Sequence, residues 1–184
     1  FLDRNPNIET AGIEYRQNRS PQSSQTASRV NIAKLAPPRE GATLELGEYR
    51  ISPSGTTKLN ADIAKAKSGT KILLNDNAYS AYSPIELPAG ILLQGTGDAR
   101  DRTKLTGRVS AKHIIAIRGP SDQVTKVDSF DLGFAGEPTG DAAILVDGAK
   151  AIIESVYPSN NNWRLWRSGK FPFLKVINGG TVVL

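Results

Sequence analysis

From Thr43 onward the sequence is a succession of short apolar pulses, broken by Gly, Asn, Asp or Pro, and this punctuation constrains the fold more than any other feature. The pulses at 71–74, 84–87, 90–94, 103–106, 113–117, 124–130, 142–146, 151–154, 175–177 and 181–184 have the length and the bounding turn residues of β-strands. Only one window departs from this texture. Between 58 and 67, Leu59, Ile63 and Ala66 fall at i, i+4 and i+7 on one face of a two-turn helix, and Ser68-Gly69 stops it. Without helical crossovers a doubly wound α/β fold is excluded, and an all-β fold with many short strands remains.

Spacing separates the all-β alternatives. Ile91 to Ile114, Leu105 to Val127, Phe130 to Ile152 and Glu154 to Val176 are 22 or 23 residues apart, a recurrence that hairpins in a sandwich do not require. A repeat of that size, with three short strands and three turns, suits the rung of a parallel β-solenoid, in which each repeat buries its apolar face against its neighbours. A jelly roll or sandwich is the competing architecture. Residues 1–41 differ from the rest. They contain four prolines and 12 apolar residues with neither a helical nor a strand period, and read as an extended polar arm. Such an arm is either a flexible leader or a segment that orders only along a partner in a larger assembly. The expected organisation is thus 1–41 as arm and assembly anchor, and 42–184 as solenoid.

The block from Leu59 to Leu74, followed by Ala78-Tyr79 and by Ile85-Glu86-Leu87-Pro88-Ala89-Gly90-Ile91-Leu92-Leu93-Gln94-Gly95-Thr96-Gly97, resembles the N-terminal cap and first rungs of right-handed parallel β-helix proteins of the pectate-lyase-like family. That family includes secreted polysaccharide lyases and phage tailspikes. Its pattern is a short helix, a strand, a turn with an aromatic residue, then I-x-L-P-x-G-V-x-L-x-G-x-G and T-x-I-x-G, and Thr103-Lys104-Leu105-Thr106-Gly107 matches the last of these. The resemblance covers roughly 58–107 well and 108–184 as rhythm. It implies an all-β, right-handed, single-stranded parallel β-helix with a capping helix. The residues agree: an amphipathic helix hides an open strand edge, and Leu87-Pro88-Ala89-Gly90 fixes a turn. Gly95-Thr96-Gly97 is no phosphate loop, because Arg100 stands where the third glycine belongs.

Several chemistries are excluded outright. The chain has no Cys, which removes disulfides, thiol nucleophiles and Cys-ligated metals, and with one His, His113, no multi-histidine site can form. No cofactor or metal is implied. There is no Met either, so the chain reads as a processed product or a piece of something longer. No apolar run approaches the roughly 20 residues that span a bilayer, so insertion through a helix is not expected.

Catalysis in this fold takes two forms. Lyases need a base and a clamp on a uronate carboxylate, whereas hydrolases need paired carboxyls facing one sugar. The nearest approximation here is Lys126, Asp128 and Asp131, but the two aspartates differ by an odd number and point to opposite faces of a regular strand. Turn and edge carboxylates that cap backbone N–H groups are the simpler reading. The family's catalytic signatures do not appear, so the resemblance transfers no catalytic residue. His113, before an apolar strand, reads as a turn or interface residue.

Binding has more support. Between Arg100 and Lys126 seven Lys or Arg stand against Asp101 and Asp122, and after Glu154 come Arg164, Arg167, Lys170 and Lys175 with no acid. Solvated turns account for such charges by default. An acidic partner, an anionic polysaccharide above all, is the functional alternative, and nucleic acid is less favoured because no recognised module accompanies the charge. Asn160-Asn161-Asn162-Trp163-Arg164-Leu165-Trp166-Arg167 mixes amides, aromatics and guanidinium groups that suit sugar rings and hydroxyls. Tyr157, Trp163, Arg164, Trp166 and Arg167 are therefore the candidate carbohydrate-binding residues, against the plainer alternative of turn amides and a Trp packed on a partner subunit.

These features lead to the expectation of the N-terminal part of a viral tailspike or similar virion appendage, extracellular or virion-borne, that attaches to a larger assembly and recognises a surface polysaccharide. Its partners are the glycan and a homo-oligomer such as a trimer, or a larger virion assembly. A truncated secreted polysaccharide lyase or hydrolase is the first alternative, and a purely structural capsid or surface protein the second.

Overall fold

In the computed structural model, residues 43–46, 53–74, 78–97, 101–108, 111–120, 122–138, 140–159 and 171–184 are described. They form twelve strands and one helix: β1 (Thr43–Leu46), α1 (Pro53–Ile63), β2 (Lys71–Leu74), β3 (Ala78–Ala81), β4 (Ile85–Leu87), β5 (Leu92–Gly95), β6 (Thr103–Gly107), β7 (Ile115–Arg118), β8 (Val124–Phe134), β9 (Ile144–Asp147), β10 (Lys150–Pro158), β11 (Leu174–Ile177) and β12 (Thr181–Val183). All pairings are parallel, and apart from β1 with β2 they link non-consecutive strands, which makes the fold a β-solenoid of about three turns. The proposed boundary at residue 41, and the arm before it, lie outside the described residues.

The solenoid has three faces. β1, β2, β5, the first half of β8, the first half of β10 and β12 stack on one. β3, β6 and the second halves of β8 and β10 make the second, and β4, β7, β9 and β11 the third. Inward-pointing residues stack in aliphatic columns: Ile72, Leu93, Val127 and Ile153 on the first face; Ile85, Ile115 and Ile144 on the third. All seven are buried, each adding about 1.5–3 kcal/mol relative to exposure. The sequence pulses found most of these strands.

The rung repeat differs from the expected 22 or 23 residues. Paired positions on the second face are 78 and 104, 103 and 130, 130 and 156; on the third, 85 and 115, 115 and 144, 144 and 174. The offsets are thus 26 or 27 residues on one face and 29 or 30 on the other. The landmarks chosen from the sequence do not stack, because each pair straddles two faces: Leu105 lies in β6 on the second face, whereas Val127 lies in β8 on the first. Connections of unequal length, such as those from β5 to β6 and from β8 to β9, blur a period that backbone pairing nevertheless keeps.

The helix starts earlier and ends earlier than the 58–67 window. Pro53 occupies the first helical position, which its fixed φ favours, and after Ile63 the chain tightens into bonds from Lys65 N–H to Asp62 O (3.2 Å) and Ala66 N–H to Ile63 O (3.0 Å). Leu59 and Ile63 are buried in the same cluster as Ile72 and Leu74. The helix also closes the open edge with polar side chains. Thr56 Oγ1 donates to Ser80 O (3.1 Å) and accepts from Tyr82 N–H (3.2 Å). Four residues on, Asn60 Nδ2 donates to Pro84 O (2.8 Å) and its Oδ1 accepts from Glu86 N–H (3.0 Å). The i, i+4 pair thus answers alternate edge residues 80, 82, 84 and 86 as a neighbouring strand would, while β1 covers β2.

The turn at Leu87-Pro88-Ala89-Gly90 is as the sequence suggests. Gly90 has φ +81°, and a Cβ there would lie 2.2 Å from Ser68 Oγ, so glycine is required. Buried Thr125 locks this turn to the next coil, accepting from Gly90 N–H and donating to Pro88 O, both at 3.1 Å. His113, just before β7, is buried. Its Nδ1 lies 3.1 Å from Ala142 O, so that nitrogen carries the proton and donates.

Candidate surface site at the first corner

The corner between the first and second faces is set by two serines. Ser129 in β8 and Ser155 in β10 both have positive φ, +66° and +52°, and each bends its strand from one face to the next. The bend also resets side-chain alternation. Thr125 and Val127 point inward before it, and Phe130 and Leu132 point inward after it. Asp128 and Asp131 consequently both point outward, contrary to the expectation that odd spacing would separate them.

Three coils bring polar side chains to this corner. Gln94, Asp128 and Glu154 are in register on the first face, and Lys104, Asp131 and Tyr157 on the second. Lys126 Nζ lies 3.2 Å from Asp128 Oδ2 and 2.7 Å from Glu154 Oε2. Ser129 Oγ donates to the other oxygen of Asp128 at 2.9 Å. Arg102, immediately before β6, reaches across the intervening coil: its Nη1 is 3.9 Å from Asp131 Oδ1, and its guanidinium lies 4.3 Å from the centroid of Tyr157. Tyr157 keeps 48% of its surface exposed.

The electrostatics define what these groups can do. Burial alone would lower the Lys126 pKa, but hydrogen bonds and charges from Glu154 and Asp128 outweigh it and hold the ammonium above the ordinary lysine value. A lysine kept protonated in this way is a poor general base. Of the three residues nearest to a catalytic set, the structure joins Lys126 to Asp128, whereas Asp131 pairs with Arg102. Glu154 and Arg102 were missed in the sequence, because their partners lie on neighbouring coils.

Elsewhere on the solenoid, charge is also paired across coils. Arg118 bonds Glu86 and lies 3.7 Å from Asp147, and Lys175 lies 2.8 Å from Asp141, whose pKa it lowers. A void between α1 and the first coil, lined by Thr56, Leu59, Tyr79 and Ile85, has room for about one water. Among the described residues no three His, Asp or Glu side chains gather as metal ligands, and no helix is long and apolar enough to cross a membrane. Trp163, Arg164, Trp166 and Arg167 lie outside the described residues. No protein-family model, curated protein or solved structure matches the chain.

Proposed function

We propose that this chain is the N-terminal part of a tailspike-like virion appendage, whose β-solenoid presents its first corner to a surface polysaccharide. The observation that carries this reading is Tyr157, half exposed on an outward face and steadied by Arg102 from two coils away. A tyrosine held in place presents a rigid, amphipathic surface of the kind that sugars stack on, at little further cost in side-chain entropy. Across the corner, Gln94, Asp128 and Glu154 line the first face as hydrogen-bonding groups. The polar arm before the solenoid suits attachment to a larger, extracellular or virion assembly, with other copies of the chain as partners.

The test is an array of surface polysaccharides probed with the full chain and with Tyr157→Ala. Retention of one or more glycans by the parent, with about tenfold weaker binding by the variant, supports the reading, since losing one stacking surface costs about 1.4 kcal/mol. Equal binding by both proteins would remove Tyr157 from the site.

A polysaccharide lyase or hydrolase is the second reading, favoured by the meeting of Lys126, Asp128 and Glu154 at one point. Turnover measured as unsaturated uronate absorbance or new reducing ends, and abolished by Lys126→Ala or Asp128→Ala, would establish it in place of the first.

A further inference from the structure

In the sequence, residues 100–126 carry a surplus of five positive charges, which favours an anionic partner. The fold answers much of this surplus with acids, most of them from other coils. Arg102 faces Asp131, Lys126 faces both Asp128 and Glu154, and Arg118 faces Glu86 and Asp147. Around Tyr157, the two cations Arg102 and Lys126 meet three carboxylates, and the exposed Lys104, in register with Asp131, brings the group to neutrality. Among the described residues, a uronate or sulfate arriving here finds no surplus of positive charge. To reach Lys126 or Arg102 it must displace carboxylates that belong to the same chain and therefore hold their places at high effective concentration.

We propose that the ligand of the Tyr157 corner is a neutral, hydroxyl-rich polysaccharide and not an anionic one; this rests on the reading that the corner binds polysaccharide at all. A carboxylate offers about four lone-pair positions, more than the ion pairs here occupy. Asp128 spends one oxygen on Lys126 and accepts from Ser129 with the other, and Glu154 meets Lys126 through one oxygen. The remaining positions accept sugar hydroxyls in charge-assisted hydrogen bonds, a role that repels a second carboxylate. Arg102 covers one face of the Tyr157 ring, and the exposed remainder is the platform for the C–H face of a pyranose.

The experiment is calorimetric titration of the full chain with neutral polysaccharides (dextran, galactomannan) and anionic ones (polygalacturonate, alginate), at about 0.05 and about 0.3 M salt. The expected result is binding to a neutral chain whose affinity changes less than about twofold with salt and falls about tenfold in Tyr157→Ala or Glu154→Gln. Both side chains are about half exposed or more, so these variants keep the fold. Preference for an anionic chain, with affinity that drops steeply with salt and in Lys126→Gln, overturns the neutral-ligand inference and leaves the corner as a binding site. Absence of heat with all four polysaccharides overturns the inference; array binding that survives Tyr157→Ala is what overturns the placement of the site.

Discussion

Arg102 lies over the ring of Tyr157, guanidinium to centroid 4.3 Å, although the two residues belong to coils separated by a third. The same arginine meets Asp131 on that intervening coil. One side chain therefore ties three layers of the solenoid together at the corner where binding is proposed, and the tie makes the energetics of the corner measurable without any ligand.

A double-mutant cycle of Arg102→Ala and Tyr157→Ala measures that tie. The expected coupling is about 0.5–1 kcal/mol, the range of a partly exposed cation–π contact. Urea denaturation midpoints of the four proteins give the value, and strict additivity would deny the contact.

The cap gives a second prediction. Ile63 is fully buried, so Ile63→Asp places an unpaired carboxylate in an apolar site and lowers stability by about 3–5 kcal/mol. Asn60→Ala leaves Pro84 O and Glu86 N–H without their partner, at about 1–3 kcal/mol. Because that change also bares a strand edge, it should promote concentration-dependent association, read by light scattering. Unchanged denaturation midpoints in both variants would mean that α1 does not close the solenoid.

The sequence showed this helix through Leu59 and Ile63, and most strands through apolar pulses bounded by turn residues. It did not show how the coils stack. Corner segments of unequal length carry the pairing of Leu92 to Lys126 but of Lys71 to Leu92, so no single period runs through the chain. The positive φ of Ser129 was equally illegible, since serine carries no signature of the left-handed region as glycine does, and with it went the shared direction of Asp128 and Asp131. Pairing of Lys126 with Glu154 depends on how the coils stack and so lay beyond local reading.

Lys126 supplies a pH prediction. Its folded-state pKa is raised above the ordinary value of 10.5, so its stabilising contribution is fully present below that pH and is lost as pH rises through the higher folded value. The stability difference between the parent and Lys126→Met should therefore be constant through neutral pH and shrink on the alkaline side. A difference that instead grows between neutral pH and the ordinary lysine value would show that folding lowers this pKa.

The most direct test of the central claim, that the first corner is the ligand-binding surface, is chemical-shift mapping on the isotopically labelled full chain during titration with an oligosaccharide of a polysaccharide it retains. The shifted amides are expected to cluster at Gln94, Arg102, Lys104, 126–131 and 154–157. Shifts confined to the third face, around Glu86, Arg118 and Lys175, would contradict that claim.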